Sequence, residues 1–350
     1  MQQWIKEVAR GKKGARDLSP DEALQAAQAI IEGQATDAQI AAFLVAERLK
    51  GESAGELLAF VQAFRRAAAA ITLPASLREK LIDLAGPYNG RNTFAATIPV
   101  ALLLADQGLP VFLHSSDALP PKKGTALKAI LERLGIRVDQ PASQVARALA
   151  EANIGFAWTE ALCPPLQALR KVREEIGVRT LLNTVEKMLN LAQAQAAMVG
   201  VFHKTVVETN AAVLRAMGYR QAFIVQGAEG SEDLPVHRTS FVYRVGEEGI
   251  ERLELDPERY GLHHRKDKEK EKLDLDQQVE LIRRILHGEE SEELAYFRDQ
   301  VLFNAGVRYY LFGHLPSIEQ GIELARRQLA EQRGAERLRI WQDQQTAAQV

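Results

Sequence analysis

The chain has 350 residues, 46% of them hydrophobic, a formal net charge of −2 and a single cysteine, Cys163. That is apolar material for a sizeable core in one large domain or in a small domain joined to a larger one, and the near balance of charge selects no partner by itself. One cysteine excludes an internal disulfide framework and a multi-cysteine zinc site, no apolar run approaches the roughly 18 residues of a membrane span, and Met1-Gln2-Gln3-Trp4-Ile5-Lys6 lacks signal-peptide character, so a cytoplasmic protein with no membrane partner is expected.

Charge is uneven at the start. Lys6, Arg10, Lys12, Lys13 and Arg16 face only Glu7 across residues 1–16, a basic arm suited to phosphate or simply to solvent. Three helix starts follow. Ser19-Pro20-Asp21-Glu22, Thr36-Asp37-Ala38-Gln39 and Ser53-Ala54-Gly55-Glu56 each read as a capping box. Each precedes an apolar pattern of helical period, such as Ile40, Phe43, Leu44 and Leu49, and Gly33 and Gly51 close the first two helices. A small helical domain over residues 1–76 is expected.

The rhythm changes near Leu81. Leu81–Ala85, Pro110–His114, Ile154–Trp158, Ala197–Phe202 and Gln221–Gln226 read as strands. Helices are expected between them, at Asn92 to Gln107 and Gly124 to Leu134 among others. This alternation predicts a mainly parallel central sheet flanked by helices, an α/β domain over residues 77–350. Thr239–Val245 and Ile250–Leu255 read as a later, antiparallel pair. Residues 265–272 alternate in charge and read as a solvated loop, and the chain is helical from Asp274 onward. His263-His264 reads as a surface pair and Cys163 as a packed thiol.

Ligands of open parallel sheets bind beyond the carboxyl ends of the strands. Three loops lie there. Gly86–Phe94 leads into a helix and offers free N–H groups to an anion. His114–Gly124 brings Lys122 and Lys123. Gly227–Asp233 brings Glu229, Glu232 and Asp233, a carboxylate set suited to magnesium.

Thr36–Leu44, Asn92-Thr93-Phe94, Arg173–Asn183 and Phe303-Asn304-Ala305, in this order, resemble the anthranilate phosphoribosyltransferases. The resemblance implies a helical domain that forms a homodimer, joined in space by helices from residues 163–190. It also implies transfer of ribose 5-phosphate from phosphoribosyl pyrophosphate with magnesium. Phosphate and substrate candidates are then Gly86, Asn89, Arg91, Asn92, Thr93, His114, Lys122 and Arg173. Glu232 and Asp233 are the magnesium candidates. The departures are local. The family's Gly-Thr-Gly-Gly-Asp loop is replaced by Gly86-Pro87-Tyr88-Asn89, Asp117 stands for an arginine, and Pro120 and Pro121 stand for two serines. Several charge-assisted hydrogen bonds at roughly 1.5–3 kcal/mol each would be lost from one pyrophosphate site.

Ala85–Asn92, Pro120-Pro121-Lys122 and Gly11–Leu18 also resemble a divergent bacterial paralogue group. That resemblance implies a homodimer that binds nucleic acid without base preference through basic patches. Here those would use Arg10, Lys12, Lys13, Arg16, Arg170, Lys171, Arg179, Lys187 and Lys204. The alternative is an active magnesium-dependent phosphoribosyltransferase acting on anthranilate or another amine or base.

Overall fold

The computed structural model describes residues 1–11, 13–86, 88–268 and 271–346; Lys12, Pro87 and the middle of the charged 265–272 stretch lie outside the described residues. All three expected capping boxes form. Ser19, Thr36 and Ser53 each accept from the N–H three residues on and receive the reciprocal side-chain bond, starting helices Pro20–Ile31, Asp37–Lys50 and Ala54–Arg66. The apolar faces meet in an aromatic stack, with Phe43 and Phe60 centroids 5.8 Å apart and Phe60 and Phe64 6.3 Å apart. Leu49 departs from expectation and is 76% exposed. Nine residues at 100° each place it on the helix face opposite Ile40.

Seven strands form one sheet: β1 (Ile82–Ala85), β2 (Val111–Ser115), β3 (Ile154–Trp158), β4 (Ala196–Gly200), β5 (Gln221–Val225), β6 (Ser240–Val245) and β7 (Ile250–Leu255). Their order is β3-β2-β1-β4-β5-β6-β7, the first five parallel and the last two antiparallel to their neighbours. β1, β2 and β4 are buried along their whole length, as parallel strands covered on both faces must be. The chain leaves β1 toward β2 and β3, then returns to β4 on the other side. That reversal opens a crevice beyond the carboxyl ends of β1 and β4.

Helices Arg170–Ile176 and Leu182–Lys187 pack against Asp37–Lys50 and Ala54–Arg66 respectively, so one apolar cluster runs from Trp4 and Phe43 to Val172 and Val185. Cys163 is buried in that cluster and burial pushes its thiol up to about 12. Among the described residues, no helix is long and apolar enough to cross a membrane.

Two expected helices begin late, at Thr97 rather than Asn92 and at Leu127 rather than Gly124. The skipped residues spend their backbone groups on neighbouring loops. Arg91 and Thr125 exchange N–H···O bonds at 2.9 and 2.7 Å, and the N–H groups of Asn92 and Thr93 both point at Glu229.

The helical domain holds an ionisable cluster. Lys50 Nζ lies 2.7 Å from both Asp17 and Glu56, but 3.5 Å from Glu47. Burial, aided by like-charged Glu56 and opposed by Lys50, pushes Glu47 up to about 8 from 4.5. The fold therefore binds a proton that the unfolded chain releases, and stability is lost as pH rises through that window. Glu47→Gln is expected to match the parent near pH 4 and to exceed it by roughly 1–3 kcal/mol near pH 8, read from urea midpoints.

Candidate functional site

The loops after β1 and β2 are zipped together. Gly124 N–H donates to Asn89 O at 3.0 Å and Leu119 N–H to Tyr88 O at 3.0 Å, beside the Arg91–Thr125 pair. The crossing is too close for side chains: a Cβ at Gly90, whose φ is +72°, would lie 2.2 Å from Gly124 O. Gly86 ends β1 in similar confinement, with Leu127 2.7 Å from where its Cβ would be.

The loop after β5 closes on this pair. Glu229 Oε2 accepts from the N–H of Asn92 at 2.8 Å, the N–H of Thr93 at 2.9 Å and the Thr93 hydroxyl at 2.8 Å. Its Oε1 accepts from Lys122 Nζ at 2.7 Å. Burial would raise this carboxyl, yet Lys122 and Thr93 outweigh it and hold it below the usual range. The expected phosphate donors Asn92, Thr93 and Lys122 are thus brought together, around a carboxylate.

The magnesium candidates are also engaged. Asp233 is fully buried. It receives Arg91 Nη1, Arg308 Nη2 at 3.0 Å, the Thr97 N–H at 3.0 Å and the Thr97 hydroxyl at 2.8 Å. Burial raises it, but the two guanidinium groups prevail and keep it below the ordinary range. Glu232 shares the Thr97 hydroxyl with Asp233 on one oxygen and has no partner on the other among the described residues; burial and Asp233 push it up. Two arginines take up the Asp233 carboxylate, so this arrangement leaves one open Glu232 oxygen for a hard cation. Among the described residues no group of three His, Cys, Asp or Glu is placed to hold a metal.

Two expected ligand contacts are structural instead. His114 is 1% exposed, because its place on β2 points it into the core. Its Nε2 lies 2.8 Å from Asp83 Oδ1 and its Nδ1 2.5 Å from the Tyr88 hydroxyl, which also lies 2.6 Å from Thr159 Oγ1. In the tautomer whose Nε2–H donates to Asp83, Nδ1 accepts from Tyr88. Tyr88→Phe strands that nitrogen and is expected to cost about 1–3 kcal/mol in urea denaturation. Arg173 is likewise buried, 2.8 Å from Glu186, and does not line the cleft.

Most of the expected basic patches are neutralised. Arg10 pairs with Glu7, and Arg16 with Glu7 and Glu22. Arg170 pairs with Glu160 and Glu174, and Lys171 approaches Glu175. Lys187 is buried and donates to Gly200 O at 2.9 Å and Gly230 O at 3.1 Å; burial and Arg179 bring it down to about 7. Lys13 and Lys204 remain exposed.

Cations also gather at the edge of the sheet. A cleft of about 310 Å³ lies between the helical domain and the carboxyl edge of the sheet. Arg48, Arg179, Lys122, Lys187 and His203 line it, with Glu52 and Glu229 as its acids. Arg48 and Arg179 make no ion pair among the described residues. Burial and the neighbouring Arg48 hold Arg179 below its usual range, and Glu52 offsets them only in part. Phe202, 56% exposed, stands at the cleft with His203 edge-on at 4.7 Å. Sequence reasoning missed Arg48, Arg308 and Phe202, since no local pattern marks them.

Comparison with known proteins covers almost the whole chain. The helical bundle domain model of a glycosyl transferase family matches residues 2–68 and its a/b domain model residues 80–334. The anthranilate phosphoribosyltransferase of Persephonella marina is 32% identical over 327 residues, 93% of each chain. An uncharacterized protein of Aquifex aeolicus is 33% identical over 324 residues, 92% of this chain and 96% of its own. The crystal structure of anthranilate phosphoribosyltransferase from Thermus thermophilus is 30% identical with a TM-score of 0.82, covering 97% of this chain and 98% of that one. The enzyme from Saccharomyces cerevisiae in complex with PRPP and Mg shares the fold, with a TM-score of 0.85 at 18% identity over 99% and 98% of the two chains.

Proposed function

The chain belongs to the glycosyl transferase family of the anthranilate phosphoribosyltransferases, and we propose that it is a member whose phosphoribosyl pyrophosphate site has been closed and whose cleft binds nucleic acid without base preference. One observation carries this reading. The donors expected to grip pyrophosphate are spent on Glu229 and Asp233, while Arg48 and Arg179 in the same cleft make no ion pair among the described residues. Unpaired cations beside an exposed aromatic suit a single strand, whose backbone wants charge and whose bases stack on any ring. Lys204, exposed and next in the chain to the cleft residue His203, adds a further cation.

The same reading takes the protein as a homodimer. Val8, Ala42, Val45, Leu49 and Ile176 line an open apolar hollow of about 660 Å³ on the helical domain. A second copy covering it would account for Leu49, and sedimentation of the full chain reads that directly.

Titrating a fluorescent single-stranded oligonucleotide at rising salt tests the function. Affinity should fall steeply between about 50 and 200 mM, with a log–log slope of about −0.7 for each phosphate neutralised. Affinity that ignores salt would sink the reading. The second reading, a magnesium-dependent transferase, is favoured by the names of the relatives. It calls for pyrophosphate release from phosphoribosyl pyrophosphate with an aromatic amine, and for magnesium to displace Arg91 from Asp233.

A further inference from the structure

Glu229 occupies an unusual position for a glutamate. It sits at φ 51° and ψ 21°, in the left-handed region, within the Ala228–Gly230 turn. Such a conformation is strained for a non-glycine residue and persists only where its surroundings hold it. Here the holding contacts are four hydrogen bonds, all to the carboxylate. Gly227 precedes the turn and Gly230 ends it, and the side chain remains 17% accessible at the edge of the cleft. The group is therefore both strained in its backbone and able to leave.

What it would leave behind is a formed anion site. Two adjacent backbone N–H groups and a hydroxyl converge on one oxygen within 2.9 Å, and a lysine ammonium meets the other at 2.7 Å. A carboxylate fills this with one negative charge. Lys187, brought down to about 7 by burial first and then by Arg179 and Lys122, adds a further cation to the same field. A dianion would meet it better than Glu229 does.

We propose that Glu229 is an internal latch on a phosphate cradle, and that a phosphate monoester or inorganic phosphate enters by displacing the Glu229 carboxylate from Asn92, Thr93 and Lys122. This rests on the reading of the site as closed. The latch acts as a built-in competitor. The apparent affinity for phosphate is the intrinsic affinity reduced by the fraction of molecules with Glu229 withdrawn.

Calorimetry on the full chain with inorganic phosphate tests it. Glu229→Gln keeps the size of the side chain but removes the charge that competes, and should bind phosphate at least tenfold more tightly than the parent. Adding Thr93→Val should abolish that gain. Binding by Glu229→Gln no tighter than by the parent would overturn the proposal. The parent protein supplies a reading that needs no variant: its Asn92 and Thr93 amide NMR signals should move with millimolar phosphate and not with chloride of equal ionic strength. Amides that stay still would equally overturn it. A 5′-phosphorylated oligonucleotide compared with its 5′-hydroxyl form separates a strand end from free phosphate as the source. Gained phosphate affinity without any oligonucleotide binding would keep the latch and defeat the nucleic-acid reading; the opposite result would do the reverse.

Discussion

Replacing Asp233 with asparagine is expected to cost about 3–5 kcal/mol of stability. Arg91 and Arg308 are 1% exposed and share this one carboxylate, so neutralising it leaves two buried guanidinium groups to a single neutral amide. The same carboxylate accepts two bonds from Thr97, the first residue of the helix that follows the β1 loop, so the loss also frees that helix start. The urea midpoint and melting temperature read the effect. The sign with pH follows from the direction of the shift. Asp233 is held below the ordinary aspartate range, so its contribution is present above that range and is lost on acidification through the folded value. A triple change, Arg91→Met, Arg308→Met and Asp233→Leu, should recover most of the loss, because apolar replacement of a buried ion cluster is often neutral. Failure of Asp233→Asn to destabilise would mean that the cluster is solvated and that its arginines are free to serve a ligand.

What the sequence makes legible here depends on how far apart the partners lie. The capping boxes join residues three apart, and Ser19, Thr36 and Ser53 read directly as helix starts. The five parallel strands are short apolar runs between turns, and each lies within a few residues of its expected place. The helix expected from Asn92 fails for a non-local reason: its first residues bond to Glu229, 136 residues away at Thr93. Arg91 finds Asp233 across 142 residues, so a loop arginine expected to face phosphate becomes the partner of a carboxylate expected to face magnesium. His114 had the right position for a ligand contact and the wrong orientation, because Tyr88 and Asp83 claim both ring nitrogens inside the core. The residues of the three loops were legible as a set. Their pairing with one another was not, and that pairing is what decides whether the site is open.

The double change Arg48→Ala and Arg179→Ala is expected to reduce affinity for a single-stranded oligonucleotide by roughly a hundredfold at low salt, from two charge-assisted contacts discounted for solvent. The magnitude of the salt slope should fall by about 1.4, the share of two neutralised phosphates on a single strand. Neither residue makes an ion pair among the described residues, so fold stability should change little. The double change also removes the mutual repulsion of the two guanidinium groups. Phe202→Ala separates the other half of the interface. Its ring is more than half exposed and touches His203 edge-on, so truncation removes little packing from the free protein. It should cost about 1–3 kcal/mol of binding if one base stacks there, and leave the salt slope where it was. A slope that drops with Phe202→Ala, or stays fixed with the two arginines removed, would place the strand outside this cleft.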